Sequence, residues 1–237
     1  GTVESVTFPA YAEIQEDRDR LRKAVRRSLI LTTAVCALPT ALVAFLARPL
    51  VRLLLTPRWE PLVPFMWIFA GVHFFNLFQT FHSQVQLTCG RSDFLLRLSL
   101  IKRAMVLIAI LLTFRINALA MAAGQLAATA LFSPIAGYYS RRLIGYSFRQ
   151  QWRDLVETVG PTLLAGGTAW FIHALFEMER LSSWVGIGAG SLAGVAVYLL
   201  LIWLRKEVLA IGLDLLGTLY PAVKGWRVFR WLRTHAG

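Results

Sequence analysis

Apolar runs alternate with charged stretches along the chain, and six runs are long: about 29–47, 61–90, 96–114, 116–140, 158–176 and 181–204. Each is close to or above the roughly 20 residues with which a helix crosses about 30 Å of hydrocarbon. Five carry no Asp, Glu, Lys or Arg. The third contains Lys102 and Arg103, so its unbroken apolar part is only 104–114. It is counted as a span because its neighbours would otherwise fall into the wrong orientation. The pattern predicts an all-α, polytopic membrane helix bundle with six transmembrane helices over 29–204. A connector (1–28) precedes it, a basic tail (205–237) follows it, and an amphipathic surface helix is expected at both ends.

Composition agrees with a membrane class. Hydrophobic residues make up 57% of the 237 positions and charged residues 16%, against roughly 25% charged in soluble domains. Lys and Arg are retained on the cytoplasmic side of a membrane. The segment 18–27, the loop around Arg91 and Arg97, the loop from Arg141 to Arg153 and the tail after Arg205 are rich in them. The intervening loops hold only Arg48, Arg52, Arg58, Arg115 and Arg180. Both ends of the chain are therefore expected in the cytoplasm. The net charge of +12 is explained by this topology and by attraction to anionic membrane lipids, with no need for nucleic acid. The opening Gly1-Thr-Val-Glu-Ser-Val-Thr-Phe-Pro has no initiating Met and no signal-peptide arrangement, and reads as the C-terminal part of something longer. Cys36 and Cys89 are expected at different depths, and so as small apolar residues and not as a disulfide.

Segment 9–27 places Ile14, Leu21, Ala24, Val25 and Leu29 on one side and charges on the other, as a lateral helix on the membrane surface would. The tail alternates Leu-rich turns with basic residues, and Pro221 divides it. The second half sets Trp226, Phe229, Trp231 and Leu232 beside Lys224, Arg227, Arg230 and Arg233, which suits an anionic leaflet or a partner protein.

Several motifs in order carry a resemblance: Phe8-Pro9-Ala10; Gln15-Glu-Asp-Arg-Asp-Arg-Leu-Arg-Lys-Ala24; the first span with Pro39; Arg48-Pro-Leu-Val-Arg-Leu-Leu-Leu-Thr-Pro-Arg-Trp59-Glu-Pro-Leu-Val-Pro64; Cys89-Gly-Arg-Ser-Asp93; and Leu98-Ser-Leu-Ile-Lys102. The chain resembles the C-terminal half of an O-antigen or exopolysaccharide flippase of the multidrug, oligosaccharidyl-lipid and polysaccharide exporter superfamily. The resemblance covers roughly 6–200 and is strongest over 8–103. It departs from the family at Thr56-Pro57, where a glycine is usual, and in the tail after Arg205. It implies location in a bacterial inner membrane, two helical bundles rocking about a central cavity, and an undecaprenyl-diphosphate-linked oligosaccharide as cargo. Polysaccharide polymerase or assembly proteins are its implied partners. It implies neither a cofactor nor a metal.

A cavity of that kind needs polar and cationic groups on apolar helices. In the second span His73, Asn76, Gln79, Thr80, Ser83 and Gln86 recur every three or four residues, within about 140° of one another on a helix. His82 falls outside this stripe and Gln84 at its edge. Lipid cannot satisfy such groups, so they face protein or water. They serve either as a hydrophilic wall for sugar hydroxyls or as interhelical hydrogen bonds. Lys102 and Arg103 need compensation, because a charge at a helix centre costs about 2.5–3.5 kcal/mol. Lys102, on a face with Ser99, is expected to hold the diphosphate, and Arg103 to snorkel to the head groups. Arg48 and Arg52 either guide the same anion at the outer exit or anchor the helix at the interface.

Gly186, Gly190 and Gly194, with Gly166-Gly167 and Gly124, predict close helix packing. Tyr138-Tyr139, Trp152, Trp184 and Trp203 fall near span ends as interface aromatics. No zinc-ligand spacing, phosphate loop or Ser/His/Asp arrangement appears, so no catalytic residue is assigned. A drug or ion antiporter of the same superfamily would need a carboxylate inside the membrane, and the six runs contain none. A non-transporting scaffold remains the further alternative.

Overall fold

The computed structural model describes residues 18–88, 92–144, 148–179 and 183–204. These are almost wholly helical, with no strand among them: α1 (Arg18–Phe45), α2 (Ala47–Leu54), a 3-10 turn (Pro57–Leu62), α3 (Val63–Thr88), α4 (Ser92–Thr113), α5 (Ala118–Ile144), α6 (Phe148–Met178) and α7 (Ser183–Leu204). Within the described residues the apolar runs are recovered in helices, the first of them divided at Leu46 between α1 and α2. Four stretches are long and apolar enough to cross a membrane: Pro57–Thr80, Ala118–Tyr139, Arg149–Met178 and Ser183–Leu204. Leu29–Phe45 joins them as a fifth only if it is taken together with Ala47–Leu54, from which it is bent by 68°. The expected count of six thus becomes four or five by length and composition. The helix that falls short is α4, which has 22 residues but carries Asp93, Arg97, Lys102 and Arg103.

Two boundaries also differ from the expectation. Helix α1 runs unbroken from Arg18, so the described part of the lateral segment is continuous with the first span. Residues 1–17 and the tail 205–237, with the surface helices expected there, lie outside the described residues, as does Cys89; Cys36 is a free thiol. At the other boundary α6 begins at Phe148, well before the apolar run at 158. Charge interrupts the run there, but the helix continues through it. Asp154 is only 3% exposed and receives Arg26 Nε at 2.8 Å and Arg26 Nη2 at 3.2 Å. The expectation that no carboxylate lies within the spans is corrected accordingly: Asp154 sits in a candidate span, fastened to α1.

Consecutive long helices reverse direction, which gives the bundle an Arg26 end and a Trp59 end. Small residues close one side of it. Gly186, Gly190 and Gly194 are buried along α7. A methyl group on Gly190 would collide with the Ala169 carbonyl, one on Gly194 would stand 2.7 Å from the Ala165 carbonyl, and one on Gly186 2.8 Å from His173 Nδ1. Glycine therefore lets α7 lie directly on the backbone of α6. Helix α1 crosses this pair and is tied to α7 by Tyr198 Oη donating to the Ala34 carbonyl at 2.6 Å. Trp67 Nε1 on α3 donates to the Ala44 carbonyl on α1 at 2.9 Å. The other side is looser. Helices α3 and α4 each pack on α5, but they touch each other sparingly. Leu98 of α4 and Phe132 and Ala136 of α5 form a small core there.

Large apolar side chains cover the outside, among them Val35, Leu112 and Leu192, each more than 70% exposed. In water such a surface would aggregate; in lipid it is the solvent-facing side. Tyr138, Trp152, Trp184 and Trp203 are exposed near helix ends, where interface aromatics belong. Thr56, in the turn after α2, has φ 116° and ψ 159°, a region that favours glycine. It is the one non-glycine residue with positive φ among those described.

Candidate functional site

The sparse contact between α3 and α4 opens a cavity of about 620 Å³ with α5 as its floor. From α3 it receives Asn76, Gln79, Thr80, His82, Ser83 and Gln86; from α4, Leu95, Leu98, Ser99, Lys102, Arg103, Val106, Leu107 and Ile110; from α5, Phe132 and Ala136. Five of the six residues in the α3 stripe are brought together, along with Ser99 and both central cations. The lining is amphiphilic. Amides, hydroxyls and cations line the half toward the Arg26 end, and Val106, Leu107 and Ile110 continue it along α4 toward the Trp59 end.

His73 does not join them. It is exposed and lines a separate apolar hollow between α1, α3 and α6, with Ala41, Phe74 and Thr162. Its place is taken by His82, buried and edge-on to Phe78 with ring centroids 4.6 Å apart. At about 100° per residue the two histidines flank the stripe on opposite sides. The cavity face is rotated from the stripe's centre toward His82, because α5 contacts α3 on that flank. The sequence marks the polar face of a single helix but not the direction from which its neighbour approaches.

The stripe proves to have two uses. Gln79 Nε2 donates across to the Thr129 carbonyl at 3.1 Å and lies 3.5 Å from Ser133 Oγ on α5, so Gln79 joins helices. Its Oε1 and that of Gln86 are buried without a hydrogen-bond partner in the structure, leaving acceptors that water or cargo would satisfy. Asn76 Oδ1 receives Lys102 Nζ at 2.8 Å. This neutral acceptor orients the ammonium across the cavity without cancelling its charge. Thr80 and Ser83 donate to the carbonyls four residues back, and Ser99 to Leu96 three back, so their oxygens remain acceptors. Arg103 is exposed and lines the same cavity as Lys102; the opening is wide enough to take adjacent positions on one helix. Two cations beside several neutral hydrogen-bonding groups, with an apolar extension, fit an amphiphile with an anionic head.

Arg48 and Arg52 lie elsewhere, in a hollow of about 550 Å³ at the Trp59 end. Arg52 is paired with Glu60, and its Nη1 lies 3.7 Å from Glu177 Oε1. Among the described residues no group of three His, Cys, Asp or Glu is placed to hold a metal ion.

Fold and cavity together define a multi-pass helical membrane protein with a polar, cation-bearing interior groove. A family model described as polysaccharide biosynthesis protein matches residues 1–64, a stretch that ends with the Arg48–Pro64 motif. No curated protein and no solved structure matches it.

Proposed function

We propose that the chain is the C-terminal half of a transporter that moves a lipid-diphosphate-linked oligosaccharide from the cytoplasmic to the periplasmic leaflet of the bacterial inner membrane during surface polysaccharide synthesis. The observation that carries this reading is Lys102, a cation at the middle of a membrane-length helix, held by neutral Asn76 over a cavity. A charge in that position calls for a compensating group, and a diphosphate supplies one. In this reading α4 is the sixth span: its charges face the groove, so composition alone undercounts it. Gln86, Ser83 and Ser99 meet the first sugars, and Val106 to Ile110 follow the lipid chain. The family match over 1–64 supports the pathway. The helix order supports cytoplasmic ends, since Arg97 at the start of α4 and Arg149 and Arg153 at the start of α6 stand at the Arg26 end.

An ion-coupled antiporter would use a membrane carboxylate. Asp154 is engaged by Arg26, which favours a fastening role, and the flippase reading stands ahead. No catalytic group is assigned; polymerase or assembly proteins are the expected partners.

The test is complementation. In the full-length protein, Lys102→Ala should abolish surface polysaccharide in a strain lacking the parent gene while the protein still inserts, and Lys102→Arg should restore it in part. Normal polysaccharide with Lys102→Ala would overturn the diphosphate role.

A further inference from the structure

The hollow at the Trp59 end is separate from the groove, and its chemistry differs. Its walls come from α1, α2, α3, α6 and α7, with Arg48 and Arg52 on α2, Trp67 on α3, and Trp170, His173 and Glu177 on α6. Its volume, about 550 Å³, lies within the range of about 300–1,000 Å³ of small-molecule sites. Two observations separate it from a belt of lipid anchors. Trp67 is fixed by its Nε1 bond to the Ala44 carbonyl, so its ring is a standing wall, half exposed. Trp170, on a different helix, presents a half-exposed ring to the same space.

Charge decides the ligand class. Arg52 is held by Glu60 and Glu177, which leaves Arg48 as the cation without a carboxylate in this pair of bridges. A diphosphate would need more positive charge than that. A pyranose ring, with a face of C–H groups and a rim of hydroxyls, needs flat aromatic walls and a few bidentate side chains at their edges. Arg, Glu and Trp supply both.

We propose that this hollow is a second, outer saccharide subsite, binding neutral or singly acidic sugar units of the cargo through Trp67, Trp170 and Arg48. The inference rests on the transport reading for the source of the sugar, but on this hollow alone for the binding.

Free repeat-unit oligosaccharide, released from the host's surface polysaccharide and carrying no lipid, is titrated into the full-length protein in lipid nanodiscs. Geranylgeranyl diphosphate, which carries no sugar, is titrated in parallel. The oligosaccharide should bind saturably, and Trp170→Ala should weaken it about tenfold or more, with Trp170→Phe close to the parent. Binding of geranylgeranyl diphosphate should be unchanged by either. If Trp170→Ala does not accumulate, Arg48→Gln, at an exposed position, decides the matter by weakening the oligosaccharide alone. Absence of saturable oligosaccharide binding, or binding indifferent to these variants, overturns the subsite and leaves the tryptophans as interface anchors. Failure of the transport reading would look different: diphosphate binding and surface polysaccharide would both be indifferent to Lys102→Ala, whatever Trp170 does.

Discussion

The α6–α7 seam and the α3–α4 groove are built from helices of similar length, yet one is closed to backbone contact and the other encloses a cavity. The difference lies in the residues facing across. Gly190 and Gly194 remove the side chains that would hold α7 off Ala169 and Ala165. Asn76, Gln86 and Lys102 do the opposite on their helices: they are long or polar, and they are satisfied only if the space between is polar or wet. The closed seam, with α1 fastened by Arg26 to Asp154, forms a rigid wall. The open groove is where the proposed cargo would enter. In lipid, where burial in water gives no drive between helices, residue size and hydrogen bonding decide which pairs close.

That contrast can be broken from either side. The largest effect is expected from Gly190→Leu, which drives a side chain into the Ala169 carbonyl and should cost about 3 kcal/mol or more by overpacking. Thermal unfolding in detergent should show it, while Gly188→Leu, at a position where an added methyl meets nothing within 4 Å, should leave the unfolding temperature near the parent's. Next comes Arg26→Ala, which removes the guanidinium from a carboxylate that is 3% exposed and should cost roughly 3 kcal/mol. Asp154→Asn should cost less, since the Arg26 side chain is 40% exposed and can turn to water or head groups. Equal losses in the two variants would count against this asymmetry. On the open side, Asn76→Leu combined with Lys102→Met should keep or raise stability, by about 1–3 kcal/mol, because a charge leaves the helix centre. The same protein should lose transport, read as surface polysaccharide, and retained transport would mean that the polar pair is structural. The smallest change is Thr56→Gly. Releasing a threonine from φ 116° should raise stability by about 1 kcal/mol, seen as a higher unfolding temperature without change in transport.

The apolar runs were legible because hydrocarbon length and lack of charge are one-dimensional properties, and their described residues are almost wholly helical. The glycine seam was legible for the same reason, since a repeat of four on one helix is a face. What the sequence hid was every feature that needs a second helix. Asp154 looked like loop because Glu157 ends the apolar run at 158 and Asp154 lies beyond it; its burial is matched by Arg26, 128 positions away. His73 and His82 exchanged places because the stripe is defined on α3 but the cavity is defined by where α4 and α5 stand. Arg52 could be read from the sequence as an anion guide or an interface anchor, and its pairing with Glu60 and Glu177 shows only once those elements stand beside it. Thr56 is an intermediate case. The sequence resemblance departs at this turn, and the positive φ of Thr56 gives that departure a physical meaning.

The central claim is that the groove between α3 and α4 is wet and holds the charged head of a lipid-linked cargo. Its most direct test introduces Ser99→Cys into a full-length protein otherwise stripped of cysteines, reconstitutes it in nanodiscs, and adds a membrane-impermeant maleimide with and without geranylgeranyl diphosphate. The account predicts ready labelling that the diphosphate suppresses, and loss of that protection when Lys102→Ala is added. A thiol that does not react, or one whose labelling the diphosphate leaves unchanged, would contradict it.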